Sequence, residues 1–293
     1  MHLAQFLILH NQNCLRDWVQ INQGGNGMSL QVAPVNGTHI HYRQTGKKDG
    51  PVLVFANSLG TDLRIWDDVI DALSAKFNIV AYDKRGHGLS GIGDAPYDVS
   101  LHANDLIGLL DYLGLDDVII CGLSVGGLIA QKVIDLVPAR VRGLILCDTA
   151  AKLGDYDSWN TRIEAIKADG IEVLGDAIIE RWLSPTFRKE RALKTAMYRD
   201  MLMRTTVAGY IGTCIALRDG DLRDAAGKIE VPTLCICGSE DLATPPDVVR
   251  ATAAMIPNAE FELIDGVGHL PCIETPELLT RLIDRFTKEK NLV

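Results

Sequence analysis

CGLSVGG, Cys121–Gly127, is the stretch on which the reading of the chain turns. It lies between an apolar run, Val118-Ile119-Ile120, and a second one with helical character, Leu128-Ile129-Ala130. A serine with a glycine two residues away on each side fits a tight strand-to-helix turn, which needs neighbours without a Cβ. It also fits a nucleophile held on that turn. Gly122-Leu123-Ser124-Val125-Gly126 matches G-x-S-x-G, with a strand expected before it and a helix after it. That helix would aim its N-terminal N–H groups at the serine. Taken alone, the pentapeptide leaves both readings open.

Other apolar runs repeat the pattern outward from this point. Leu30 to Val35 and His39 to Tyr42 flank Asn36-Gly37, the strongest short hairpin signal. Val52 to Ala56, Asn78 to Tyr82, Val118 to Cys121, Gly143 to Cys147, Thr233 to Cys237 and Phe261 to Ile264 read as buried strands of a parallel sheet. Helical spacing falls between them. Leu106, Leu109, Leu110 and Leu113 share one face, with Ser100 as the expected N-cap and Gly114 as the stop. Pro276 suits the first position of a last helix, where its missing N–H costs nothing. Strands alternating with helices imply an α/β sheet with right-handed crossovers. The alternation stops between about 151 and 225, where Thr161 to Ala168, Ile171 to Trp182, Lys189 to Thr206 and Gly209 to Ala216 all read as helix. The expectation is a mostly parallel eight-stranded sheet flanked by helices, formed by 28–150 and 226–293, with 151–225 inserted as a helical cap.

A serine nucleophile needs a base, and the base needs an orienting group. His269 lies in Gly266-Val267-Gly268-His269, just after the last expected strand, where functional groups of open α/β sheets gather. Asp241 follows Thr233–Cys237 in Gly238-Ser239-Glu240-Asp241 and is the preferred acid; Glu240 and Asp148 are its rivals. The order Ser124, Asp241, His269 is that of α/β hydrolases. An oxyanion needs donors. The Val125 N–H follows the nucleophile, and Leu59, in the loop Asn57-Ser58-Leu59-Gly60-Thr61, holds the second position. Asp83-Lys84-Arg85-Gly86-His87-Gly88-Leu89-Ser90 mixes charge signs and reads as a structural loop beside the site.

Composition sets limits. The 293 residues carry a formal net charge of −9, against a general nucleic-acid binder. No apolar run approaches the roughly 20 residues a membrane span needs. Seven cysteines, an odd number lying mostly in apolar runs, indicate buried free thiols in a reducing compartment, with cytoplasmic location expected. Their spacing gives no metal site. Residues 1–27, rich in Asn and Gln, lack a basic leader and cleavage pattern and read as a flexible extension.

From about Met28 onward the chain resembles the α/β-hydrolase superfamily. Asp83-x-Arg85-Gly86-x-Gly88-x-Ser90, the serine turn, Gly238-x-x-Asp241 and Gly268-His269 carry that resemblance. Within it the chain is similar to the 3-oxoadipate enol-lactonases of aromatic catabolism, through Asn57-Ser58-Leu59-Gly60-Thr61-Asp62, Trp159-Asn160-x-Arg162-Ile163, Arg218-Asp219-x-Asp221-Leu222-Arg223 and Ala243-Thr244-Pro245-Pro246. The resemblance implies cofactor-free opening of a small anionic lactone through an acyl-serine. Other capped hydrolases (carboxylesterase, C–C hydrolase, perhydrolase) and a non-catalytic receptor are the alternatives. The free carboxylate of such a lactone calls for a local cation. Arg162 is the first choice and Arg181 and Arg204 the others, with Trp159 and Trp182 as pocket walls or as pins between cap and core.

Overall fold

The computed structural model describes residues 30–293, so the readings for 1–27, Cys14 included, lie outside the described residues. Val32–Val293 forms one compact unit. The described chain opens with β1 (Gln31–Val35) and β2 (Thr38–Gly46). Asn36 and Gly37 between them both take positive φ, 43° and 74°, as a two-residue type I′ turn requires. β3 (Val52–Ala56), α1 (Asp67–Leu73), β4 (Asn78–Tyr82), α2 (Val99–Leu113), β5 (Val118–Leu123), α3 (Val125–Leu136) and β6 (Val141–Cys147) follow. The eight-stranded sheet runs β1-β2-β4-β3-β5-β6, then β7 (Thr233–Gly238) and β8 (Glu260–Ile264). β2 is antiparallel to β4, and the pairs from β4 through β8 are parallel. Every residue of β4, β5 and β7 is buried, which is why those segments read as unbroken apolar runs. The edge strand β8 is half-covered and mixes Glu260 and Glu262 among its apolar residues.

Between β6 and β7 the chain is helical: α4 (Tyr156–Asp169), α5 (Gly175–Trp182), α6 (Pro185–Glu190), α7 (Ala192–Met203), α8 (Val207–Asp219) and α9 (Arg223–Ala226). Two of the expected helices divide. Ile171–Leu174 is a 3-10 turn ahead of α5, and the expected helix from Lys189 to Thr206 breaks at Arg191, whose φ and ψ of −121° and 42° leave the helical region. Ser100 is not the N-cap of α2. Asp98 is, its carboxylate accepting the Leu101 N–H at 2.6 Å, because the helix begins one residue earlier, at Val99. Gly114 ends α2 in the left-handed conformation, and Pro276 opens α12 (Pro276–Glu289), which follows α10 (Pro246–Met255) and α11 (Pro271–Glu274).

The loop after β4 is a buried polar frame. Asp83 accepts the Leu63 and Leu89 N–H groups at 2.8 and 2.9 Å, which fixes the neighbouring loop ends. Arg85 donates two bonds, 2.5 and 2.6 Å, to Asp105 on α2, and Asn36 donates to the same carboxylate at 3.1 Å. Both members of the pair have side chains at most 2% exposed. Removing one partner would strand the other charge in the interior. Asp105→Ala is therefore expected to destabilise the chain by about 3–5 kcal/mol, read from urea denaturation midpoints; a loss below about 1 kcal/mol would contradict it.

Candidate active site

Ser124 stands between β5 and α3 at φ 57° and ψ −120°, a conformation that serine rarely adopts. Main-chain hydrogen bonds hold it there. Its N–H donates to Cys147 O at 3.0 Å, and its carbonyl accepts from the Thr149 hydroxyl at 2.6 Å and the Gly127 N–H at 2.9 Å. The two flanking glycines are required by close approach. A Cβ on Gly122 would lie 2.3 Å from Gly126 O, and one on Gly126 would lie 2.1 Å from Ala56 O. The Ser124 hydroxyl makes no hydrogen bond to another described residue and faces a cavity that His269 also lines.

His269 is 1% exposed and sits on the loop after β8. Its Nδ1 is 2.9 Å from Asp241 Oδ2. Asp241 Oδ1 accepts the Ala243 and Thr244 N–H groups at 2.7 and 2.9 Å, so every carboxylate oxygen is engaged and the side chain has one orientation. The loop carrying His269 is tied to the inter-strand helices. The His269 N–H donates to Trp182 O at 2.8 Å. Glu274 accepts the Gly268 N–H at 3.1 Å, the Ser184 N–H at 3.0 Å and the Ser184 hydroxyl at 2.5 Å.

The rival acids lie elsewhere. Asp148, after β6, accepts the Gly238 N–H at 2.8 Å and makes no hydrogen bond to His269; its second oxygen has no hydrogen-bond partner among the described residues. Burial, with Asp241 beside it, raises Asp148 well above the usual carboxylate range. Glu240 lies next to Asp241 without hydrogen-bonding the ring. Asp148, Cys237 and Asp241 bring one potential ligand atom each within 4.8 Å of one another. Asp241 is already committed to His269 and two N–H groups, and Asp148 favours its neutral form, so this trio is a poor cation cage.

The loop after β3 lines the other side of the cavity through Ser58 and Leu59. The Leu59 N–H donates to no described residue, and the Val125 N–H, first in α3, has none of its own helix to bond. The loop is shaped by Asn57, which donates to Thr61 O at 2.7 Å, and by Lys84, which donates to Ser58 O at 2.5 Å.

Arg162 and Arg181 both line the cavity, as do Trp159 and Trp182. Arg162 lies over the Trp159 ring at 4.9 Å, and the indole N–H of Trp159 donates to Leu153 O at 2.7 Å. Among the described residues no carboxylate lies within ion-pair reach of either arginine. Burial, with Arg162 beside it, lowers Arg181 from its ordinary value. Two guanidinium groups thus face one space; the carboxylate that acts on Arg181 through space, Asp241, is already engaged by His269 and two N–H groups. Arg204 does not join them: it is 74% exposed, pairs loosely with Asp200 at 3.4 Å and borders a separate surface groove. It lies at the C-terminal end of α7, away from the cavity.

The six cysteines among the described residues are buried and free. No helix among the described residues is long and apolar enough to cross a membrane.

Comparison with known proteins fits this geometry. The family model described as the alpha/beta hydrolase fold matches residues 51–276. The 3-oxoadipate enol-lactonase 1 of Acinetobacter baylyi is 32% identical over 260 residues, 89% of this chain and 97% of its own. The 3-oxoadipate enol-lactonase 2 of the same organism is 29% identical over 252 residues, 86% and 94% of the two chains. The crystal structure of an enol-lactonase from Burkholderia xenovorans superposes with a TM-score of 0.86 at 35% identity, covering 88% of this chain and all of that one. With the strand order, the serine turn and a family match over most of its length, the chain belongs to the α/β-hydrolase fold family.

Proposed function

We propose that the chain is a serine hydrolase that opens a small anionic enol-lactone, with 3-oxoadipate enol-lactone as the substrate and 3-oxoadipate as the product. The observation that carries the reading is the pair of unneutralised arginines, Arg162 and Arg181, sharing a cavity with Ser124 and His269. A neutral ester would leave both charges unanswered; a lactone bearing a carboxylate answers them. The 3-oxoadipate enol-lactonases at about 30% identity support the same substrate. Residues 28–150 and 226–293 are read as the hydrolase core and 151–225 as its cap, which supplies the arginines and both tryptophans. The reaction suits aromatic-compound catabolism in the cytoplasm.

In this reading Ser124 Oγ attacks the ring carbonyl while His269 Nε2 takes its proton. Asp241 holds the ring with Nδ1–H toward Oδ2, which leaves Nε2 free to accept, and stabilises the imidazolium that results. The carbonyl oxygen, now negative, receives the N–H groups of Leu59 and Val125. Collapse breaks the ring C–O bond and expels an enolate. His269 returns the proton to the leaving group, and the enol becomes a ketone, which draws the reaction forward. Water, deprotonated by His269, then attacks the acyl-serine and releases the second carboxylate. No step calls for a metal or organic cofactor.

Turnover of the lactone beside that of its uncharged methyl ester and of p-nitrophenyl butyrate tests the reading. The charged lactone is expected to exceed both in kcat/KM by roughly 100-fold or more, since a site built around a polar partner penalises its absence. Comparable values for all three would leave a general esterase instead. Arg162→Met and Arg181→Met are each expected to lower kcat/KM for the lactone about 10- to 100-fold, mostly through KM, the scale of one charged hydrogen bond. Both should spare p-nitrophenyl butyrate; equal losses on the two substrates would argue against carboxylate recognition.

A further inference from the structure

Lys84 is the charged residue of the loop after β4 that the buried frame does not explain. It is 1% exposed. Among the described residues its ammonium has no carboxylate within ion-pair reach. Its partners are main-chain oxygens of the loop after β3: Ser58 O at 2.5 Å and Thr61 O at 3.5 Å. A buried ammonium satisfied by carbonyl groups alone is expensive to keep and is rarely retained for packing.

The carbonyl it chooses is informative. Ser58 C=O and Leu59 N–H are the two ends of one planar trans peptide, so they point in opposite directions. Whatever fixes the carbonyl fixes the N–H. Thr61 already supplies two neutral donors to Ser58 O, its hydroxyl at 2.9 Å and its N–H at 3.3 Å. The Ser58 carbonyl is thus already engaged by two neutral donors, and the ammonium adds charge to that bond pattern. Electron density drawn onto Ser58 O leaves Leu59 N–H more positive, as in any polarised chain of hydrogen bonds.

We propose that Lys84 is a positioning residue that orients and polarises the Ser58–Leu59 peptide, so that the Leu59 N–H is a stronger donor to the oxyanion formed at Ser124. The inference rests on the serine-hydrolase reading and adds to it a residue that touches neither substrate nor nucleophile.

Burial lowers Lys84 to about 7, with Asp83 and Asp62 opposing that effect. The other titratable groups facing it are His87, on the same loop, and His102, on α2; burial and the Lys84 charge lower both, which keeps them neutral. The polarising charge is thus present below about pH 7 and is lost as pH rises through that value. Stabilisation of the tetrahedral state should weaken on the alkaline side.

The test compares the parent chain with Lys84→Met, which keeps the stem and removes the donor and the charge, and Lys84→Gln, which keeps a donor without charge. Three quantities are read: the acylation rate and KM with p-nitrophenyl acetate, the affinity for a phenylboronic acid that forms a tetrahedral adduct on serine, and the pH profile of acylation. Lys84→Met is expected to lower the acylation rate and the boronate affinity together, about 10- to 100-fold, with KM within about twofold. It should also remove a decline in parental acylation above pH about 7. Lys84→Gln should fall between parent and Lys84→Met. Parental rate and boronate affinity in a folded Lys84→Met overturn the proposal, as does a loss confined to KM. Should Lys84→Met not fold, Lys84→Gln decides: acylation rate and boronate affinity falling together support the role, and parental values for both overturn it. A parent that neither hydrolyses the ester nor binds the boronate removes the serine reading and this one with it. An active parent matched by Lys84→Met removes this one alone.

Discussion

Ser124→Ala is expected to lower turnover of every substrate by about 10⁶-fold while leaving the fold intact. The size follows from the chemistry: without the hydroxyl there is no acyl intermediate, and the N–H groups of Leu59 and Val125 can only polarise a carbonyl for slow attack by water. Fold retention follows from the contacts. The turn is held through the Ser124 main chain, by Cys147 O, the Thr149 hydroxyl and the Gly127 N–H, and the Oγ bonds to no described residue. Alanine has the same Cβ, so it meets no new clash at φ 57°, and stability should move by no more than about 0.5 kcal/mol. A fluorophosphonate should label the parent at this position and leave the variant unlabelled. An unlabelled parent, or a variant with parental turnover, would end the nucleophile assignment.

Asp241→Asn carries the second-largest effect, a loss of about 10⁴-fold in kcat with an unchanged fold. The local hydrogen bonds dictate the reason. Oδ1 receives two N–H groups, from Ala243 and Thr244, so an asparagine must place its carbonyl oxygen there. Its NH₂ then faces His269 Nδ1, which must become the acceptor. The ring proton moves to Nε2, and the nitrogen that should take the serine proton already has one. Asp148→Asn is the matched control. Asp148 favours its neutral form and accepts one N–H through Oδ1, so an amide is close to an isostere, and activity should stay within about threefold of the parent. The reverse outcome, a silent Asp241→Asn and an inactive Asp148→Asn, would transfer the orienting role to Asp148.

Much of this arrangement is written locally in the chain. The serine turn announces itself because close approach forbids a Cβ at Gly122 and Gly126, and that demand shows as glycine in the sequence. The strands announce themselves because full burial on both faces leaves no room for polar alternation. The order of Ser124, Asp241 and His269 points to loops at the C-terminal ends of the strands, and the structure brings two of them into hydrogen-bond contact and the third to the cavity that His269 lines. Other features depend on neighbours far away in sequence. Ser100 and Asp98 are equally able to cap a helix, and only the start of α2 at Val99 selects Asp98. Arg162, Arg181 and Arg204 look alike as helix-borne cations; which of them shares a cavity with Ser124 is set by how the helices pack on the core. Lys84 sits in a run of mixed charge that reads as a structural loop beside the site, and which carbonyl its ammonium meets is visible only once Ser58, 26 residues upstream, has been folded against it.

The link between Trp182 O and the His269 N–H, braced by Glu274 bridging Ser184 and Gly268, bears on how such an enzyme can acquire new substrates. In the proposed reading, the segment carrying the arginines and the loop carrying His269 are tied into one mechanical part. A graft that exchanged the helical segment for a relative's, keeping every core residue, would leave the imidazole without its anchor unless the 182–184 turn travelled with it. Diversification in this lineage is then expected to proceed by changing side chains on an inherited framework, with wholesale exchange of modules selected against.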